Sequence, residues 1–200
     1  MTEGGVVVGN VQGKYLTRNP LYRSLVGGFF RTAQSLLEGS RAEQVLDMGC
    51  GEGYAANRVQ PWVLPRSLAG IDLSQPMLAE ARRTYPTISF AAATAYYLPF
   101  HPGQFDLVLA MEVLEHLERP EDALREVRRV GRGRVLASVP LEPIWRMLNM
   151  ARGAYWPSLG NTPGHLNHWT RSGFVHMLKR HFTILELRSP FPWTMALCAI

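Results

Sequence analysis

The sequence is short of cysteine, of lysine and of long apolar runs, and each shortage narrows its reading. Cys50 and Cys198 are the only thiols. Two distant thiols make no disulfide framework, so a reducing cytoplasm is the expected setting. No apolar run approaches the roughly 18–20 residues that a membrane span needs, and no membrane partner is expected. The first thirty residues lack the basic, apolar and cleavage-site succession of a signal peptide. No tract is low in complexity and no internal repeat is visible, which argues against repeat architectures. Of 21 basic residues only Lys14 and Lys179 are lysines; the rest are arginines.

What is present suits one globular domain. Two hundred residues, 46% of them hydrophobic, are enough for a full core. The net charge of +5 admits an anionic partner such as RNA. The densest basic cluster, Arg125, Arg128, Arg129, Arg132 and Arg134, falls at the end of a predicted helix, where cations suit the helix dipole. It lacks the interleaved aromatics of single-strand binders.

Residues 1–13 are rich in glycine and valine and are expected to be mobile. Asn19 and Pro20 then open a helix as N-cap and first helical residue, and Gly39 stops it. From residue 45 to 140 strands and helices alternate: "QVLDMG", a helix from Gly53 to about Gln60 ended by Pro61, "SLAGIDLS", a helix capped by Ser74, "ISFAAAT", "FDLVLAM" with a short helical turn, a helix opening near Pro120, and "RVLASVP". Such alternation predicts βαβ units and a parallel sheet covered on both faces. After Pro140 come a helical stretch, an aromatic Gly/Pro-rich loop, another helix, and two strands joined by "PFP". That link is short enough to require an antiparallel pair.

"VLDMGCGEGY", residues 45–54, carries the functional signal. A strand that ends on Asp47 runs into Gly49, Gly51 and Gly53 and then a helix. Glycines allow positive φ and close backbone approach, and the helix start presents free N–H groups. Asp72 closes the second strand, 21 residues beyond Gly51, where an acid can accept ribose hydroxyls; Ser74 is left to cap the helix. A dinucleotide fingerprint wants a third glycine at position 54, which is Tyr54. A pyrophosphate has no use for an acid beneath it, whereas an ammonium or sulfonium does. The loop therefore suits a nucleoside with a cationic amino-acid tail.

"VLDMGCGEG", "GIDLS", "LPF…FDLVLAMEVLEHL" and "VLASVP" together resemble the successive motifs of class I S-adenosylmethionine-dependent methyltransferases, over about residues 45–140. The resemblance implies an α/β, Rossmann-like doubly wound sheet of seven strands, mostly parallel with the last antiparallel. It implies one domain over 1–200, with an N-terminal lid helix in 1–39, a cofactor-binding core in 45–140 and an acceptor-side helix and loop in 141–170. It further implies S-adenosyl-L-methionine as cofactor. Gly49, Gly51 and Gly53 would line its methionine part, with Asp47 near the amino group. Asp72 would meet the ribose and Leu73 the adenine, and Met111 would flank the sulfonium. Thr94 stands where many relatives carry an acid for the adenine amino group, so backbone groups of Thr94 and Ala95 are left to read the base and weaker binding is expected. Lys14, Tyr15 and Arg18 precede the first helix, and Tyr15 and Arg18 would touch the methionine carboxylate.

Methyl transfer needs alignment, and an oxygen nucleophile also needs its proton removed or its charge stabilised. "MEVLEHLERPED" offers Glu112, Glu115 and His116, which would share one face of a helical turn. With His165 or His168 they would complete a divalent-metal site. This ExxEH pattern with a later histidine resembles the ubiquinone-pathway and small-RNA O-methyltransferases, a resemblance that selects His165. Two alternatives stay open: a metal-free pocket with His116 or His165 as base, and a helix that merely borders the cofactor. Tyr155, Trp156, Trp169 and Trp145 are candidates for an acceptor-pocket wall or for covering the sheet edge. The expected function is O-methylation of a small-molecule acceptor. The alternatives are a nucleic-acid methyltransferase and a non-catalytic cofactor-binding subunit.

Overall fold

Seven strands, the central ones apolar on both faces, assemble into one sheet in a computed structural model that describes residues 19–200. Ahead of these it describes the backbone of two antiparallel two-residue strands, Thr2–Glu3 and Val6–Val7. The expectations placed on the first thirteen residues as a whole, and on Lys14, Tyr15 and Arg18, lie outside the described residues. The strands are β1 (Gln44–Met48), β2 (Ser67–Asp72), β3 (Ser89–Ala92), β4 (Phe105–Met111), β5 (Gly131–Pro140), β6 (Thr183–Arg188) and β7 (Trp193–Ala199). Their order is β3-β2-β1-β4-β5-β7-β6. The first five pair parallel, and β7 runs antiparallel to both β5 and β6. This is the expected sheet, with the strand order reversing between β1 and β4, where α/β folds place their ligands.

The helices are α1 (Pro20–Leu37), α2 (Tyr54–Val63), α3 (Gln75–Thr84), α4 (Pro120–Val130), α5 (Ile144–Ala151) and α6 (Arg171–Lys179). Asn19 caps α1 as expected, its Oδ1 accepting from the amides of Leu21 and Tyr22. One core packs Phe29, Phe30, Val45, Leu107, Leu109, Leu136 and Leu197 on one face of the sheet. The other packs Leu46, Val108, Ala110, Val135, Leu124, Val127, Phe174 and Leu178. Consecutive residues of β4 thus alternate between two cores, which explains why "FDLVLAM" is apolar throughout. Burial of each such side chain contributes about 1.5–3 kcal/mol.

Two boundaries differ from expectation. Helix α2 does not end at Pro61 but continues to Val63. A proline removes one backbone donor, and here the next residues offset that loss. Val63 is buried in the first core and Trp62 packs against it. Leu64 then ends the helix in the left-handed region, its N–H returning to the Gln60 carbonyl. Strand β3 is shorter than "ISFAAAT", because Thr94 already belongs to the next turn.

Candidate active site

The carboxyl ends of β1, β2 and β4 bring the glycine loop together with both acids. Gly49, Gly51 and Gly53 all have positive φ, but for different reasons. A Cβ on Gly49 would lie 2.5 Å from Val113 Cγ2, and one on Gly53 2.6 Å from Phe90 Cζ; these two positions are closed by the protein's own packing. A Cβ on Gly51 would meet only Met77 Sδ, at 3.8 Å. Among the described residues, no neighbour forbids a side chain at Gly51.

Asp47 lies beneath the loop and is 2% exposed. Among the described residues its Oδ2 has no hydrogen-bond partner. Burial, followed by the nearby negative charge of Asp72, pushes its pKa up to about 7, and the Ala56 amide opposes the shift. Water-stripped carboxylate oxygens without a donor are costly, and a cationic group is what would satisfy this one. Asp72 is not free as expected. Its Oδ2 accepts from Gly51 N and its Oδ1 from Ser74 N, both at 2.9 Å. It therefore pins the loop to the end of β2, and each oxygen retains a second lone pair. Ser74 caps α3 through Met77 N, as its position predicts. Leu73 leaves an apolar side chain 45% exposed beside Asp72. Thr94 uses its hydroxyl on Tyr96 N and its carbonyl on Tyr97 N, so both close its own turn, and Ala95 packs against the second core. Met111 ends β4 and is buried. Cys50, inside the loop, is buried as well, and desolvation pushes its thiol pKa far up, which leaves it an inert packing group.

Of the four expected metal ligands, three converge. Ligand atoms of Glu115, His116 and His165 all lie within 4.8 Å of one another. Glu115 and His165 are buried. The His116 Nδ1 lies 2.8 Å from the Gly164 carbonyl oxygen. A carbonyl only accepts, so Nδ1 carries the proton and Nε2 of the neutral ring keeps its lone pair. That Nε2 lies 3.9 Å from Glu115 Oε1. The two imidazoles meet edge to face, with centroids 4.9 Å apart, and Trp145 stacks on His165.

Glu112 is the correction. The expected helical face does not exist at this residue, because Glu112 has φ 60° and the turn begins only at Leu114. Its carboxylate is directed to Ser138 Oγ at 3.2 Å and Trp193 Nε1 at 2.7 Å, and it is not part of the converging group. His168 also stands apart from that group, its Nε2 donating to Asn161 Oδ1.

Two anchors were invisible in the sequence. The Glu115 carbonyl accepts from both Leu166 N and Asn167 N, and Asn167 Nδ2 reaches the carbonyls of Leu114 and Leu117. These bonds hold His165 against the post-β4 turn. Trp145 is fixed through Nε1 to Thr162 Oγ1 and packs on Trp193. The basic cluster is largely spent within the fold. Arg125 pairs with Asp122 and Arg129 with Glu126, while Arg132 pairs with Asp106. Arg128 bonds the His181 carbonyl, and Arg134 bonds Ser40 Oγ.

A family model described as a methyltransferase domain matches residues 46–136. A probable S-adenosylmethionine-dependent methyltransferase of Mycobacterium tuberculosis is 32% identical over 109 residues, covering 54% of this chain and 39% of the relative. A ubiquinone biosynthesis O-methyltransferase of Thiobacillus denitrificans is 33% identical over 93 residues, covering 44% of this chain and 39% of the relative. The chain spans about two fifths of the length of these curated relatives. Among solved structures, the PH0226 protein of Pyrococcus horikoshii aligns with a TM-score of 0.71 at 19% identity, over 94% of this chain and 96% of the other. Magnesium protoporphyrin IX methyltransferase of Synechocystis, solved with bound S-adenosylhomocysteine, aligns with a TM-score of 0.67 at 17% identity, over 96% and 90%.

Proposed function

This chain belongs to the class I S-adenosylmethionine-dependent methyltransferase superfamily, and on that premise we propose that it methylates an oxygen of a small-molecule acceptor. The cofactor supplies an activated methyl group on a sulfonium, so the chain has mainly to bind, align and manage one proton. Asp47 Oδ2 would accept the ammonium of the methionine part, for which its buried and unpartnered state suits it. The open direction above Gly51 would admit the ligand beside the loop. Asp72 would offer its remaining lone pairs to ribose hydroxyls while holding the loop. Leu73 would cover the adenine, with Thr94 and Ala95 at its edge, and Met111 would border the sulfur.

The observation that carries the oxygen chemistry is the fixed tautomer of His116. With Nδ1–H committed to Gly164, Nε2 is the basic atom, held beside Glu115 and His165 at the end of the post-β4 turn. It would take the acceptor's proton as transfer proceeds. His165 would orient the acceptor from the other side, with the Trp145 ring as wall. The spent arginines favour a small acceptor over nucleic acid.

The convergence of Glu115, His116 and His165 favours a second reading of the same site. One carboxylate and two neutral imidazoles suit a divalent ion with open positions. These three residues would hold it, and it would lower the acceptor oxygen's pKa. Glu112 would take no part. Transfer of labelled methyl from S-adenosylmethionine to a panel of hydroxylated small molecules, with and without chelator, tests both. Transfer that survives chelation assigns the base to His116, and loss on chelation assigns the ion. Label appearing only in RNA would overturn the small-molecule reading.

A further inference from the structure

Helix α5 turns Trp145 inward but leaves a second apolar stripe toward the surface. Its residues Ile144, Met147, Leu148 and Ala151 follow the spacing of one helical face. Met147 and Ala151 on that face are exposed, Ile144 and Leu148 are half-buried, and the one buried residue of the helix is polar, Asn149. Asn149 Nδ2 donates to the Gly160 carbonyl and Thr162 Oγ1, and the Arg146 guanidinium donates to the Leu159 carbonyl. The polar groups of α5 and of the turn at 156–160 are thus turned toward each other. Apolar side chains are left outside: Met147 is 65% exposed, Trp156 59% and Leu159 64%. Leu166, next to His165, is 46% exposed. Exposed apolar groups gathered on one segment mark an interaction surface.

Charge says what covers it. From Pro143 to Leu185 the chain has no aspartate or glutamate, while Arg146, Arg152, Arg171, Lys179 and Arg180 are all cationic. Arg152 follows α5 directly and Arg171 opens α6, and both are exposed. A second copy presenting the same face would meet it with cations against cations and no acid to compensate. An aliphatic helix face gives nothing to a phosphodiester backbone. A tryptophan and aliphatic side chains bordered by arginines fit the headgroup region of an anionic bilayer. Among the described residues no helix is long and apolar enough to cross a membrane, so contact would be superficial.

We infer that the α5 face and the turn at 156–160 dock this protein on the surface of an anionic membrane, with the His165 side of the active site turned toward the lipid. This departs from the expectation of no membrane partner, which rested only on the lack of a spanning segment. It stands whether or not the proposed methyl transfer is correct, because docking needs neither cofactor nor acceptor. Sedimentation with vesicles of phosphatidylcholine alone, and of phosphatidylcholine mixed with phosphatidylglycerol, tests it. The protein should bind the mixed vesicles, more weakly as salt rises. Arg152→Gln and Arg171→Gln should each weaken binding about fivefold. Met147→Glu with Trp156→Glu should abolish it; both positions are exposed, and unchanged circular dichroism would show that the fold persists. No binding to the mixed vesicles at low salt overturns the inference. So does equal binding to neutral vesicles, binding indifferent to these substitutions, or a concentration-dependent dimer that the Met147 and Trp156 substitutions dissolve in place of vesicle binding.

Discussion

Asp47→Asn should make the unliganded protein more stable at neutral and alkaline pH, and a worse binder of S-adenosylhomocysteine. The Asp47 carboxyl rises from 3.8 to about 7 on folding. At 1.36 kcal/mol per pH unit, that difference corresponds to about 4 kcal/mol. A carboxyl with a raised folded pKa opposes folding only when ionised. The penalty is absent below pH 3.8, grows as pH rises, and is complete above about 7. The asparagine variant has no such charge to bury, so its advantage over wild type should be near its largest at pH 8 and small at pH 4. Denaturant unfolding of both proteins at the two pH values measures the difference. Binding reverses the ranking, because the ligand's ammonium interacts with the carboxylate. Losing a charged hydrogen bond of about 1.5–3 kcal/mol weakens affinity roughly 10- to 150-fold. Calorimetry in two buffers of different ionisation enthalpy should also show proton release by wild type near pH 6.5 that the variant lacks. A variant equally destabilised at both pH values, or one with unchanged affinity, would refute the reasoning.

The glycines should separate by readout. Gly53→Ala should destabilise the fold by about 2 kcal/mol or more, from backbone strain and the clash with Phe90, as thermal unfolding would show. Gly51→Ala should cost only the strain of its positive φ, about 1–2 kcal/mol, yet lose cofactor affinity in calorimetry. Asp72→Ala should weaken cofactor binding roughly 10- to 150-fold, because it removes the acceptor for Gly51 N as well as the ribose contact; Asp72→Asn should recover part of it. His116→Ala and His165→Ala should slow methyl transfer by about a hundredfold or more while S-adenosylhomocysteine affinity stays within a few-fold, which single-turnover assays and calorimetry separate.

The sheet was legible because its strands are either apolar on both faces or bounded by glycine, proline and capping residues. The geometry of the glycine loop was legible for a related reason. Its glycines, Asp47 and Asp72 lie on consecutive elements, so spacing alone carries their geometry. The turn after β4 was read less well. Glu112 sits in a sequence that reads as helix, but its φ is positive and its carboxylate bonds Ser138 and Trp193, far along the chain. Pro61 misled by the same logic, since packing of Trp62 and Val63 outweighed one missing amide. That Asp72 is engaged by its own loop, and that Asn167 ties His165 to the turn at Leu114, are long-range hydrogen bonds with no local pattern. The exposure of the α5 face was equally hidden, because periodicity reveals an apolar stripe but not whether it turns inward.

The double acceptance by the Glu115 carbonyl has an evolutionary consequence. His165 arrives at the end of a long irregular segment, yet its place is set by bonds from Leu166 and Asn167 to the post-β4 turn, not by the course of the chain before it. The stretch from Gly153 to Ser158, largely exposed at its tip, is thereby released from responsibility for the histidine. Insertions and replacements there can accumulate without moving it. A lineage can rewrite that stretch, and a designer can graft a foreign segment between the same two points, while leaving His116 and His165 in register.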